Sequence, residues 1–181
     1  MDTRSTRANK TAAPASRKSL RVWIGVAAVA AAAAGLWAYT TTMSRPPGSV
    51  FPDQGNLHVP TLKDSIPPYN SDPPTSGAHL PYIAPWGIHT EPIPRQLQVH
   101  NLEDGGVMVQ YNCAEPCPDL VAKLTAIVSG YPEQVILAPY PGMKTRIALT
   151  AWTRLDAFDE FDEQRIRRFI SAYRGIDHHP R

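Results

Sequence analysis

The eighteen residues from Val22 to Tyr39, VWIGVAAVAAAAAGLWAY, carry no charge. A run of that length is close to what is needed to cross ~30 Å of hydrocarbon at ~1.5 Å per residue. Trp23 stands at one end and Trp37 and Tyr39 at the other, where amphipathic rings favour the two interfaces, and Arg17, Lys18 and Arg21 come just before it. The basic side therefore stays in the cytoplasm, and the residues that follow are delivered to a periplasm or to the outer face of the cell. This predicts a single-pass protein of the inner (plasma) membrane that contacts lipid through residues 22–39. A cleaved signal peptide competes with this reading, because Ala32 to Ala34 offer small-residue sites. The long polar tail and the flanking tryptophans favour the anchor.

The overall charge of +2 hides an asymmetry. Residues 1–21 hold six basic residues and one acid, so the remainder is mildly acidic. A nucleic-acid partner would need a basic face on the folded part, and that class is set aside. With 181 residues, 43% of them apolar, there is material for one modest core. Residues 40–60, with Pro46-Pro47, Gly48, Pro52, Gly55 and Pro60, read as a tether. The chain thus divides into a basic cytoplasmic tail (1–21), a transmembrane helix (22–39), the tether (40–60), an extracytoplasmic domain (61–177) and a short C-terminal tail (178–181).

The domain opens on a proline-dense stretch, IPPYNSDPPTSGAHLPYIAPWGIHTEPIPRQ. Each proline removes a backbone donor and fixes φ, so regular structure is not expected there. Tyr69, Tyr82, Trp86, Ile83 and Ile88 are too apolar for disorder, which predicts an ordered loop with Tyr82 and Trp86 partly buried. Leu97–Asn101 and Val107–Tyr111 then read as two strands around the Asp104-Gly105-Gly106 turn. Pro118 suits the first position of a helix whose stripe is Leu120, Val121, Leu124, Ile127 and Val128. Gln134–Ala138 and Thr145–Trp152 read as further strands, and a last helix runs from about Asp159 to Arg174, its acids first and its bases last. The order β-β-α-β-β-α predicts an α+β fold: a small, mainly antiparallel sheet with two covering helices and a long ordered proline-rich loop.

The segments YNSDPPTSGAHLPYIAPWGIHTEPIP, VHNLEDGGVMVQYNC, RIALTAW and FISAYRG resemble the bacterial family of domain-of-unknown-function 3105. The most specific parts are PPTSGAH, Pro73 to His79, and HNLEDGG, His100 to Gly106. The resemblance covers roughly residues 50 to 177 and implies an N-terminal anchor before an extracytoplasmic domain, with no established reaction. This chain departs from the pattern at Asp104, where relatives carry histidine.

Cys113 and Cys117 are the two cysteines, placed after a predicted strand and before a predicted helix. In an oxidising compartment they close a disulfide by default, pinning the strand-to-helix turn. The alternative starts from Cys117 at the helix N-terminus, whose dipole favours the thiolate that attacks disulfides or binds soft metals. Copper(I) is the metal that thiolates and imidazole suit there, and His79, His89 and His100 are the candidate completing ligands. Against this, each histidine has a bland role bonding the loop carbonyls that prolines leave unpaired. His58 reads as tether, His178 and His179 as a disordered end, and Glu103 with Asp104 as turn chemistry or ligands.

No GxSxG, GxxxxGK[ST], HExxH or CxxCH occurs, so the motifs favour a binding protein over an enzyme. The reading is a membrane-anchored extracytoplasmic binding domain that handles copper or exchanges disulfides through Cys113 and Cys117. The rival is a structural or accessory subunit that docks onto another membrane protein by Trp86 and the proline-rich face, with the cysteine pair as a structural disulfide.

Overall fold

A computed structural model describes residues 17–179 and divides the chain into two compact units, one ending at Arg45 and the other beginning at Pro46. Most of the expected cytoplasmic tail, residues 1–16, lies outside the described residues, as do residues 180–181. The first unit holds the helix α1 (Arg17–Ser44). Its Trp23, Val29, Leu36 and Trp37 are exposed. Among the described residues no helix is long and apolar enough to cross a membrane.

The second unit is built on a six-stranded mixed sheet. Its strands are β1 (Ser49–Val50), β2 (Gly87–Ile88), β3 (Val107–Tyr111), β4 (Val135–Pro139), β5 (Ile147–Ala151) and β6 (Arg154–Phe158), in the order β1-β6-β5-β3-β4-β2. Its helices are α2 (Arg95–Glu103), α3 (Pro118–Val128) and α4 (Glu163–Tyr173). The pairs β3–β4 and β2–β4 are parallel, while β3–β5, β5–β6 and β1–β6 are antiparallel. Parallel β3 and β4 follow from α3, which carries the chain back across the sheet.

Side chains of a strand alternate between faces, and both faces here are covered. Val107, Val109, Val135, Leu137, Ile147 and Leu149 pack with Leu124 and Ile127 of α3 and Ile166, Phe169 and Ile170 of α4. Met108, Ile136 and Ala138 point the other way, against Val99 and Leu102 of α2 and Ala84 of the loop. Met108 is thus a packing residue.

Four sequence expectations change. Leu97–Asn101 is part of α2 rather than a strand: the Pro94 carbonyl accepts from the Leu97 and Gln98 amides, and the helix buries Val99 and Leu102 together. β6 adds a strand that the sequence reading lacked, joined to β5 through Trp152 and Thr153, the latter at φ 59°. The two residues of β2 fall within the proline-rich loop, where no regular structure was expected. The tether expected over residues 40–60 does not exist as such. Residues 40–44 belong to α1, and Ser49 and Val50 pair with β6. Gly48, at φ +78°, allows the approach, since a Cβ there would stand 2.9 Å from the Phe169 ring. The Tyr173 hydroxyl donates to the Pro47 carbonyl at 2.6 Å, and Val59 N donates to His79 O at 2.7 Å.

The proline-rich loop is ordered against the sheet, with Ala78, Leu80 and Ala84 buried. Trp86 packs at the edge of the Met108 cluster and is partly buried, as expected of it. Tyr82 is the exception to the burial expected of the loop's aromatics, being 54% exposed.

Candidate metal centre

The two sequence segments that stood out as specific are the two that build the site. In PPTSGAH, Thr75 O accepts from Thr153 N at 3.0 Å and Ser76 Oγ from Gln54 N at 3.0 Å. Gly77 lies at φ +116°, where a Cβ would press on Tyr69 at 3.2 Å. The Tyr69 hydroxyl donates to Ala78 O at 2.6 Å. Thr75 to Ala78 are thereby fixed ahead of His79, whose side chain is fully buried. In HNLEDGG, His100 and Glu103 lie three apart on α2 and so on one face. Asn101 grips both the N–H and the C=O of Ala84 at 2.9 Å, which locks loop to helix. Gly106 has to be glycine, because a Cβ would collide with the Asn101 carbonyl and the Trp86 ring.

These segments, joined by His58 from the stretch that bridges to His79, gather imidazoles around one carboxylate oxygen. Glu103 Oε2 lies 2.9 Å from His79 Nε2, 3.3 Å from His58 Nε2 and 3.8 Å from His100 Nδ1. The ligand atoms of all four residues fall within 4.8 Å of one another. Glu103 itself is fully buried, and its Oε1 accepts from Asn56 Nδ2 at 2.7 Å. Burial alone would raise the Glu103 carboxyl, but the hydrogen bond from Asn56 and the imidazoles that face it outweigh burial and hold it below the ordinary range. Burial lowers the His100 imidazole, which keeps it neutral and able to ligate.

The tautomer of His79 decides what this arrangement can do. Its Nδ1 lies 2.7 Å from the Gly77 carbonyl, which can only accept, so Nδ1 carries the hydrogen. In the neutral ring Nε2 then turns its lone pair onto Glu103 Oε2, and two lone pairs at 2.9 Å require a positive charge between them. A metal ion held between them would supply it. His100 Nδ1 is buried and has no hydrogen-bond partner. Bonds of about 2.0–2.1 Å to a tetrahedral ion separate neighbouring ligand atoms by about 3.3 Å. The three distances to Glu103 Oε2 straddle that separation, so the residues fit an ion once the wider pairs, which lie within 4.8 Å, draw together around it.

Of the residues singled out from sequence, His79 and His100 come together here. His89 does not join them; its Nε2–H donates to the Pro85 carbonyl at 2.7 Å. Cys113 and Cys117 are joined in a disulfide that packs beside the α3–α4 core, so they offer no thiolate. The disulfide expectation is met, and the group that could hold an ion consists of imidazoles and a carboxylate.

Three participants were misjudged from sequence. His58 was read as tether, yet its backbone bridges to that of His79 and its ring lies 4.8 Å from the His79 ring. Glu103 was given turn chemistry as an equal alternative. The C-terminal end was read as disordered, yet His178 N donates to Glu103 O at 2.9 Å and the His178 ring stacks on Trp152 at 5.8 Å. Only contacts distant in sequence reveal these roles.

The fold and site define an α+β domain with a histidine–glutamate cluster, buried except at His58, that could hold a metal ion. The chain belongs to the family described as protein of unknown function (DUF3105), which it matches over residues 62–181. No curated protein and no solved structure matches it. His58 lies just ahead of the matched stretch, and His79, His100 and Glu103 lie within it.

Proposed function

We propose that this protein is a transition-metal-binding module of the extracytoplasmic face, tethered to the membrane through the segment Val22–Tyr39 and holding its ion with His58, His79, His100 and Glu103. The observation that carries the reading is the pairing of His79 Nε2 with Glu103 Oε2 at 2.9 Å while Nδ1 is committed to a backbone carbonyl. That is the second-shell pattern which orients metal-binding histidines. Three imidazoles and a carboxylate suit zinc or copper(II); copper(I) would lack the thiolates it favours. The extracytoplasmic placement is supported by the charge-free run behind a basic tail and by a disulfide, which persists in oxidising compartments. Cys113–Cys117 then serves as a staple between β3 and α3.

The test is a titration of the purified, chelator-stripped chain with cobalt(II) as a spectroscopic stand-in for zinc, followed by zinc competition. Binding with a tetrahedral ligand-field spectrum is expected, and Glu103→Gln and His79→Ala should each weaken it by more than tenfold. Absence of binding to the wild-type chain would remove the proposal.

A further inference from the structure

The side of His100 turned away from Glu103 faces a second set of donors. His100 Nε2 lies 3.9 Å from Asp104 Oδ1, one helical turn along α2. His179 Nε2 lies 3.6 Å from the same Asp104 oxygen and 3.7 Å from Glu103 Oε2. The ligand atoms of His100, Asp104 and His179 fall within 4.8 Å of one another, as a group separate from the first. We infer that Asp104 and His179 complete a second metal position, and that His100 bridges it to the first through its two ring nitrogens.

The orientation of His179 supports this independently. Its Nδ1 lies 2.7 Å from Asp177 Oδ1, an acceptor, so Nδ1 carries the hydrogen and Nε2 is the atom left to face Asp104, where an ion would take its lone pair. His79 shows the same arrangement, with a carbonyl in place of the carboxylate. The backbone delivers His179 to this place. Gly175 N donates to Gly105 O at 2.8 Å and His178 N to Glu103 O at 2.9 Å, so the chain end is stitched to the turn that follows α2. Gly105, at φ +77°, makes room for it, since a Cβ would stand 2.8 Å from the Ile176 backbone.

The chemistry balances as follows. Neutral His100 holds one ring hydrogen, and ligation through both nitrogens displaces it to water as the second divalent ion enters. Two nitrogens and a carboxylate oxygen suit the same zinc or copper(II) ions as the first position.

This inference rests on the first site, and copper(II) distinguishes the two. The full chain, stripped and then dialysed against copper(II), should retain two ions, and its electron paramagnetic resonance signal should integrate to well under two spins because the bridge couples them. Asp104→Asn and His179→Ala should each retain one ion with a full one-spin signal, and His89→Ala should retain two. Wild-type chain that retains one ion, or variants that still retain two, would overturn the second position while leaving the first. Failure to retain any copper would overturn both. The altered side chains of Asp104→Asn and His179→Ala are not core residues, and an unchanged circular dichroism spectrum confirms that ion loss is not unfolding.

Discussion

Asn56 Nδ2 donates to Glu103 Oε1 at 2.7 Å and thereby leaves Oε2 alone to face the imidazoles. The amide fixes the rotation of a fully buried carboxylate, which would otherwise have to be oriented by the ion itself. Asn56→Ala is therefore expected to lower cobalt(II) and zinc affinity by about 10- to 100-fold, the usual cost of losing a second-shell partner. Equal affinities in competition titrations would show that Asn56 does not orient the ligand.

The disulfide closes a short loop, and its removal is expected to be mild. The double variant Cys113→Ser, Cys117→Ser should stay folded, lose less than the ~3 kcal/mol associated with a 15-residue loop, and keep its zinc affinity. Urea unfolding and metal titration of the same sample read both effects. A fall in zinc affinity would tie the cysteines to the site after all.

Much of this architecture was legible locally. α3 announced itself through Pro118, Asp119 and an apolar stripe, whereas the charge order read for α4 holds only at its start, where Asp162 caps the helix and Glu163 fills the first turn; no base stands in its last turn. The same local logic failed at Leu97–Asn101, because L-Q-V-H-N alternates as a half-buried strand would. What decides for helix is burial on two sides at once: Val99 and Leu102 meet the sheet while His100 and Glu103 turn to the site. β6 escaped because R-L-D-A-F alternates weakly and its turn, Trp152-Thr153, lacks glycine or proline. In the site, His79 and His100 were visible as loop histidines, but Cys113 and Cys117 drew the metal reading toward themselves. His58 and His179 lie 45 and 76 positions from Glu103 in the chain, and no pattern of neighbours reports a meeting at that range.

Asn101 should be among the costliest polar residues to replace. Its amide satisfies both backbone groups of buried Ala84, so Asn101→Ala leaves a donor and an acceptor unpaired, each costing about 1–3 kcal/mol. A loss of at least about 2 kcal/mol in chemical denaturation is expected, with Asn101→Asp intermediate because it keeps the acceptor. A loss under about 1 kcal/mol would mean that water reaches Ala84.

Tyr69 predicts behaviour at alkaline pH. Burial pushes its phenol up to about 12 from the ordinary 10.0, against an opposing pull from Arg95. A raised folded-state value favours the protonated form, so this contribution to stability is complete below pH ~10 and is lost as pH rises from there toward about 12. Burial raises the Tyr140 and Tyr173 phenols as well, so phenolate absorbance should show a late-titrating group of tyrosines that loses one member in Tyr69→Phe. The same curve in the variant would reassign the late step.

The order β1-β6-β5-β3-β4-β2 places the two shortest strands, of two residues each, at the two borders of the sheet. Each border therefore offers only a brief row of open backbone groups, too short to template another chain. Crowded copies of this domain meet one another at short edge strands, an arrangement that disfavours joining sheet to sheet.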